Sequence, residues 1–189
     1  MENLREITAK LKPKSAGGPD GIVNELLKYG NTAMHRTILK LFKKLHAIGK
    51  MPERWRQAKI ISLFKKGDKS KMGNYRGISL ISCIGKLYER CLNKVVRDKL
   101  EREGKLHECQ AGFRTGRGTT DHIFCASATL KARTRRKLLT HVLFYDFRKA
   151  FDTVPHEELL VKLWKIGIRG NTWLTIQDFL KKGISRAYH

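Results

Sequence analysis

The sequence predicts an α/β protein. Apolar residues recur at three- and four-residue steps over several long stretches, which is the spacing of helices. Two short runs rich in β-branched and aromatic residues, 58–64 and 139–147, lie between those stretches and read as strands. Glycine-rich breaks separate the two kinds of segment. Hydrophobic residues make up 41% of the chain, enough to fill a core.

The first break is Ser15-Ala16-Gly17-Gly18-Pro19-Asp20-Gly21, a loop in which Asp20 is placed to cap the next helix. From about 22 to 48 the apolar residues Leu26, Leu27, Met34, Ile38, Leu41, Phe42 and Leu45 predict a short helix and then a longer one, stopped at Gly49. Ala58 to Phe64 reads as a strand, and Lys65-Lys66-Gly67-Asp68 as a turn. A basic loop leads on to Ile78-Ser79-Leu80. The clearest helix covers about 81–103, where Ile84, Leu87, Tyr88, Cys91, Leu92, Val95, Val96 and Leu100 form one apolar stripe that ends at Gly104. Residues 111–118 form a basic glycine-rich loop. A helix over about 121–137 ends in Arg133, Arg135, Arg136 and Lys137, where cations suit the helix dipole. Leu139 to Phe147 is apolar on both faces and predicts a buried strand. Two further helices are expected over about 156–166 and 171–182. There is no internal repeat.

Forty Lys and Arg face 17 Asp and Glu, a formal net charge of +23. Such a chain attracts polyanions, and nucleic acid is the natural partner. Cys83, Cys91, Cys109 and Cys125 form no CxxC pair, so a zinc cluster is not indicated. They read as reduced and structural, which places the protein inside the cell, in nucleus or cytoplasm. No apolar run is long enough to span a membrane, and the first ten residues lack the core of a signal peptide.

Leu143-Phe144-Tyr145-Asp146-Phe147-Arg148-Lys149-Ala150-Phe151-Asp152 is the most informative stretch. A carboxylate ending an apolar strand is costly unless it is paired or holds a cation. Asp146 is therefore either a cap or salt-bridge partner of Arg148 or Lys149, or a Mg²⁺ ligand on a rigid strand end. Phe151 stands five residues further on and flanks the same site only if the chain bends after Phe147.

The stretch FYDFRKAFDTVPH resembles motif A of non-LTR retrotransposon reverse transcriptases. Four other blocks resemble the same family in the same order: Lys14 to Gly21, Trp55 to Ile61 with Lys65 to Asp68, Asn74-Tyr75-Arg76-Gly77-Ile78-Ser79-Leu80, and Gln110 to Asp121. A group II intron maturase shares the chemistry but fits these blocks less well. The third block has Gly77 where the family has proline, so a looser turn is expected there. Gly118 replaces the usual serine in the last.

The resemblance implies a right-hand polymerase fold, with fingers and a helical extension over 1–138 and an incomplete palm over 139–189. It implies Asp146 and the Phe147 carbonyl as Mg²⁺ ligands, Phe151 as the gate against a ribose 2′-OH, and a structural role for Asp152. Lys65, Lys66 and Arg76 would hold the triphosphate of a dNTP, unless the two lysines are only a solvated turn. Arg114 and Arg117 would touch template or nucleotide, unless their loop is merely soluble. Arg133, Arg135 and Arg136 would touch a nucleic-acid backbone, unless they only end a helix. The partners implied are an RNA template, a DNA primer and a dNTP. No Asp-Asp pair occurs in the chain, and the family's YADD-like motif and the block before it are not found. The chain is therefore expected to stop short of a complete polymerase site and to be inactive alone. The other reading is a non-catalytic basic nucleic-acid-binding module derived from such an enzyme.

Overall fold

The computed structural model describes residues 4–147, 150–181 and 184–187. Packing divides the chain into two compact units, Met1–Lys99 with Pro155–His189, and Leu100–Val154. In chain order the first unit opens with α1 (Leu4–Ala9), α2 (Asn24–Tyr29) and α3 (Thr32–Ile48). A single turn, α4 (Glu53–Arg56), leads into β1 (Gln57–Phe64), and β2 (Tyr75–Leu80) and α5 (Cys83–Arg102) come next. The second unit carries α6 (Thr119–Arg135) and one turn, α7 (Ala150–Thr153). α8 (His156–Lys165), α9 (Gly170–Lys181) and β3 (Ile184–Ala187) belong to the first.

The predicted helices are present, and their ends have local causes. Asn31 caps α3 by accepting from the Met34 N–H at 2.9 Å. Gly49 closes α3 in the left-handed region at φ 70°, with its N–H on the Leu45 and His46 carbonyls. Asp20 differs from expectation. Its Oδ1 accepts from Ile22 N–H at 3.3 Å, a turn two residues long, and α2 starts only after Val23, with no side-chain cap. The left-handed Gly21, at φ 70°, separates the carboxylate from the helix. Gly18 is needed for contact rather than for φ: a Cβ there would lie 2.5 Å from the Ile81 carbonyl carbon. The loop's backbone therefore packs directly on the residues that lead into α5.

β1 and β2 form an antiparallel hairpin with Leu63 opposite Arg76, and β3 pairs in parallel with the start of β1, giving the order β2-β1-β3. Gly77 lies in mid-strand opposite Ser62, not in a turn. The Lys65 N–H donates to the Asn74 carbonyl at 2.8 Å. Alternation from that pair puts the bonded pairs at 63·76, 61·78 and 59·80, so the Gly77 N–H faces away from β1. An edge strand tolerates proline at such a position. The proline–glycine difference thus lies where no ladder bond depends on it.

The core of this unit is an aromatic trio. Phe42 on α3, Trp55 on α4 and Tyr88 on α5 have ring centroids 4.9–6.0 Å apart. Leu11, Leu27, Ile38, Met51, Cys83 and Leu87 are buried around them. The apolar stripe of α5 is buried only as far as Leu92; Val95 is 43% exposed. Arg56 and Asp178 form a buried ion pair at 2.8 Å, and Asp178 also accepts from the Met51 N–H at 3.0 Å.

A cavity of about 250 Å³ opens beside them, lined by Met51, Glu89, Leu92, Val96, Ile176 and Phe179. One Glu89 carboxyl oxygen is buried without a hydrogen-bond partner. Burial pushes this carboxyl up to about 7, against a smaller opposing pull from Lys86. Below the ordinary glutamate range the group is neutral in both the folded and the unfolded chain. As pH rises towards 7, the unfolded chain ionises first and the folded state loses stability. Glu89→Gln is expected to stabilise the protein at pH 8 by about 1–3 kcal/mol and to flatten its pH dependence. Thermal melts at pH 5 and pH 8 check this; an unchanged gap in the glutamine variant contradicts it.

In the second unit, no residue of α6 is buried, and Ile123 and Phe124 are 61% and 72% exposed. The expected strand at 139–147 is absent. The segment is irregular, and Leu143, Phe144, Tyr145 and Phe147 are 72–89% exposed. A strand needs a neighbour to take its N–H and C=O groups. No described strand pairs with this segment, so its apolar character leaves it unpaired rather than buried.

Candidate nucleotide and nucleic-acid sites

The β1–β2 hairpin is ordered at its tip. The Asp68 carboxylate accepts from Ser70 N–H at 2.9 Å and from Ser70 Oγ at 2.8 Å, and these bonds hold it below the usual carboxylate range. Asn74 Nδ2 donates to the Asp68 carbonyl and the Tyr75 hydroxyl to the Lys69 carbonyl. Phe64 and Tyr75 meet edge to face at 5.5 Å. On this frame Lys65, Lys66 and Arg76 are all exposed. No ion pair among the described residues engages them. Strand alternation puts Arg76 on one face with Leu63, Ile61 and Ile78, and the Lys65 N–H bond to the Asn74 carbonyl continues the same register one residue past β1, which sets Lys65 on that face too. Lys66 falls in the bend. Two unpaired cations on one face of a stiff hairpin suit a polyphosphate.

The loop after α5 is different. Arg114 forms a two-pronged pair with Glu101, Nε to Oε1 at 2.9 Å and Nη2 to Oε2 at 2.7 Å. Its Nη1 donates to the His107 carbonyl at 3.1 Å. The Arg114 side chain is only 9% exposed. Arg117 donates to the Glu108 carbonyl at 2.6 Å and pairs with the Glu108 carboxylate, which it holds below the usual range. Both arginines of the motif are thus engaged locally, Arg114 by the last turn of α5 and Arg117 by its own loop. At the end of α6, Arg133 donates to Thr140 Oγ1 at 2.8 Å and to the Leu139 carbonyl at 3.1 Å, tying down the chain beyond the helix. Arg135 and Arg136 are exposed. The sequence holds no sign of these internal partners, because Glu101 lies 13 residues from Arg114.

Asp146 is exposed on the irregular segment, Phe147 is 82% exposed, and Phe151 stands on α7 at 85%. Arg148 and Lys149, where the bend was expected, lie outside the described residues, as does the side chain of Asp152. No group of three or more metal-ligating side chains occurs among the described residues. Magnesium is held by one or two carboxylates with further oxygens from phosphates or water. Asp146 alone does not make a complete magnesium site among the described residues. The hairpin cations belong to the first unit, and Asp146 and Phe151 to the second. No helix of the described residues is long and apolar enough to cross a membrane.

Residues 64–188 match the reverse transcriptase (RNA-dependent DNA polymerase) family. The chain belongs to that family, and with it comes the reverse-transcriptase type of polymerase fold. Its similarity is to the non-LTR retrotransposon branch. It is 26% identical over 167 residues to a probable RNA-directed DNA polymerase from transposon BS of Drosophila melanogaster, covering 88% of this chain and 18% of that protein. It is 32% identical over 163 residues to a putative 115 kDa protein in the type-1 retrotransposable element R1DM of the same organism, covering 85% of this chain and 16% of that protein. It is 27% identical over 192 residues to the RNA-directed DNA polymerase from mobile element jockey of D. melanogaster, covering 100% of this chain and 20% of that protein. The chain thus spans no more than 20% of the length of these curated relatives.

Proposed function

We propose that the chain is the nucleotide-gripping part of an RNA-directed DNA polymerase of a non-LTR retrotransposon, with fingers and the opening of a palm. The observation that carries this is the pair of unengaged cations, Arg76 and Lys65, on one face of the ordered hairpin in a chain of this family. In this reading Arg76, Lys65 and Lys66 hold the triphosphate of a dNTP. Asp146 and the Phe147 carbonyl supply one side of a Mg²⁺ site, and Phe151 reads the sugar. RNA template and DNA primer are drawn by the general positive charge, with Arg135 and Arg136 on the backbone. The two-metal chemistry of such enzymes activates a primer 3′-OH and stabilises the leaving pyrophosphate. One carboxylate cannot hold both ions, so the reaction needs acidic residues that this sequence does not contain.

Titration of the 189-residue chain with a fluorescent dNTP tests the hairpin. Arg76→Ala is expected to weaken binding by about tenfold, the value of one charge-assisted hydrogen-bonding group. Arg76→Ala and Lys65→Ala variants that bind as tightly as the wild-type chain contradict the assignment.

A further inference from the structure

The loop that holds Arg114 and Arg117 presents a ring rather than a charge. Phe113 sits in the left-handed region at φ 62°, which a side chain with a Cβ resists. Its ring is 84% exposed, so it gains almost nothing from burial. Both features work against folding, and strain of this kind persists only where the surroundings enforce it. They do so here. The next residue, Arg114, is held by Glu101 and by the His107 carbonyl, with its side chain nearly buried. Beyond it, Arg117 fixes the far arm of the loop to Glu108. The same pairs neutralise both arginines. The loop therefore offers a polyanion one solvent-facing aromatic ring on a backbone held at both sides.

An exposed ring on a strongly basic protein suits an unpaired nucleobase, because every base has a π-face and stacking tolerates any sequence. We infer that Phe113 is a stacking platform for an unpaired base of a bound single strand, and that Arg114 is the positioning residue that holds it there. This rests on the nucleic-acid-binding reading of the chain and assigns the contact in this loop to the ring instead of the arginines. The net charge of +23 favours nucleic acid over the apolar pocket of another protein.

The test is a titration of the whole chain with a short single-stranded RNA carrying 2-aminopurine, at two salt concentrations, beside thermal melts. Wild type should bind and alter the base fluorescence. Phe113→Leu should weaken binding by about tenfold with the salt dependence unchanged, since no phosphate contact is lost. Phe113→Gly should weaken binding equally yet melt at a higher temperature, because glycine relieves the positive φ. Arg114→Lys, which loses the two-pronged pair, should weaken binding too, and Phe113→Leu combined with it should cost little more. Phe113 variants that bind within twofold of wild type overturn the inference, as does a Phe113→Gly variant that melts lower. A wild-type chain that binds no RNA sinks the nucleic-acid reading itself, and the inference with it.

Discussion

Phe42→Ala is expected to destabilise the protein by about 3–5 kcal/mol, the range for deleting a large aromatic from a packed core. Phe42 is 0% exposed and touches both other rings of the trio, with centroids 6.0 Å from Trp55 and 4.9 Å from Tyr88. Its removal opens a hole between α3, α4 and α5 that the neighbours cannot close together. Domains of this size are stable by only about 5–15 kcal/mol, so the variant stands near the edge of unfolding at room temperature. Urea titration followed by circular dichroism reads the change. A shift below about 1 kcal/mol would mean that the trio is not the centre of the fold. The hairpin cations depend on this core, because α4 carries Trp55 and runs straight into β1.

The second large effect concerns the unpaired segment at 139–147. Leu143, Phe144, Tyr145 and Phe147 leave a long apolar stretch open to water, with its N–H and C=O groups unpaired by any described strand. Such stretches pair with other chains. The purified chain is expected to self-associate at micromolar concentration, and more so as salt rises and screens its like-charge repulsion. Leu143→Ser with Phe144→Lys should give mostly monomer, with stability changed by no more than about 0.5 kcal/mol. Sedimentation velocity at low and high salt checks both points. A wild-type chain that stays monomeric at high salt contradicts the expectation.

Both cases bear on how far the fold and the sites are legible in the sequence. Helices α3, α5, α8 and α9 are legible because an apolar stripe or a flanking stop residue such as Gly49 is written locally, and α6 is legible from its basic end. The strand β1 and its turn are legible for the same reason. β3 is not, since four residues become a strand only by pairing with the distant start of β1. The exposure of 139–147 is not legible either, because apolarity is local and a strand's partner is not. Arg114 and Arg117 are legible as a basic motif, but their engagement by Glu101 and Glu108 comes from a loop fold that no spacing rule describes. Phe113 lies in the family-like block 110–121, but its left-handed φ gives no signal in the sequence, because it leaves no mark on composition.

The most direct test of the central claim is primer extension by the 189-residue chain, with an RNA template, a DNA primer, dNTPs and Mg²⁺, beside an RNA-binding titration at two salt concentrations. Salt-sensitive binding and no extension are expected, because Asp146 is the one motif A carboxylate assigned to the metals and the sequence contains no Asp-Asp pair. Extension by the wild-type chain that disappears in Asp146→Ala would contradict this, and would mean that these residues complete a polymerase site among themselves.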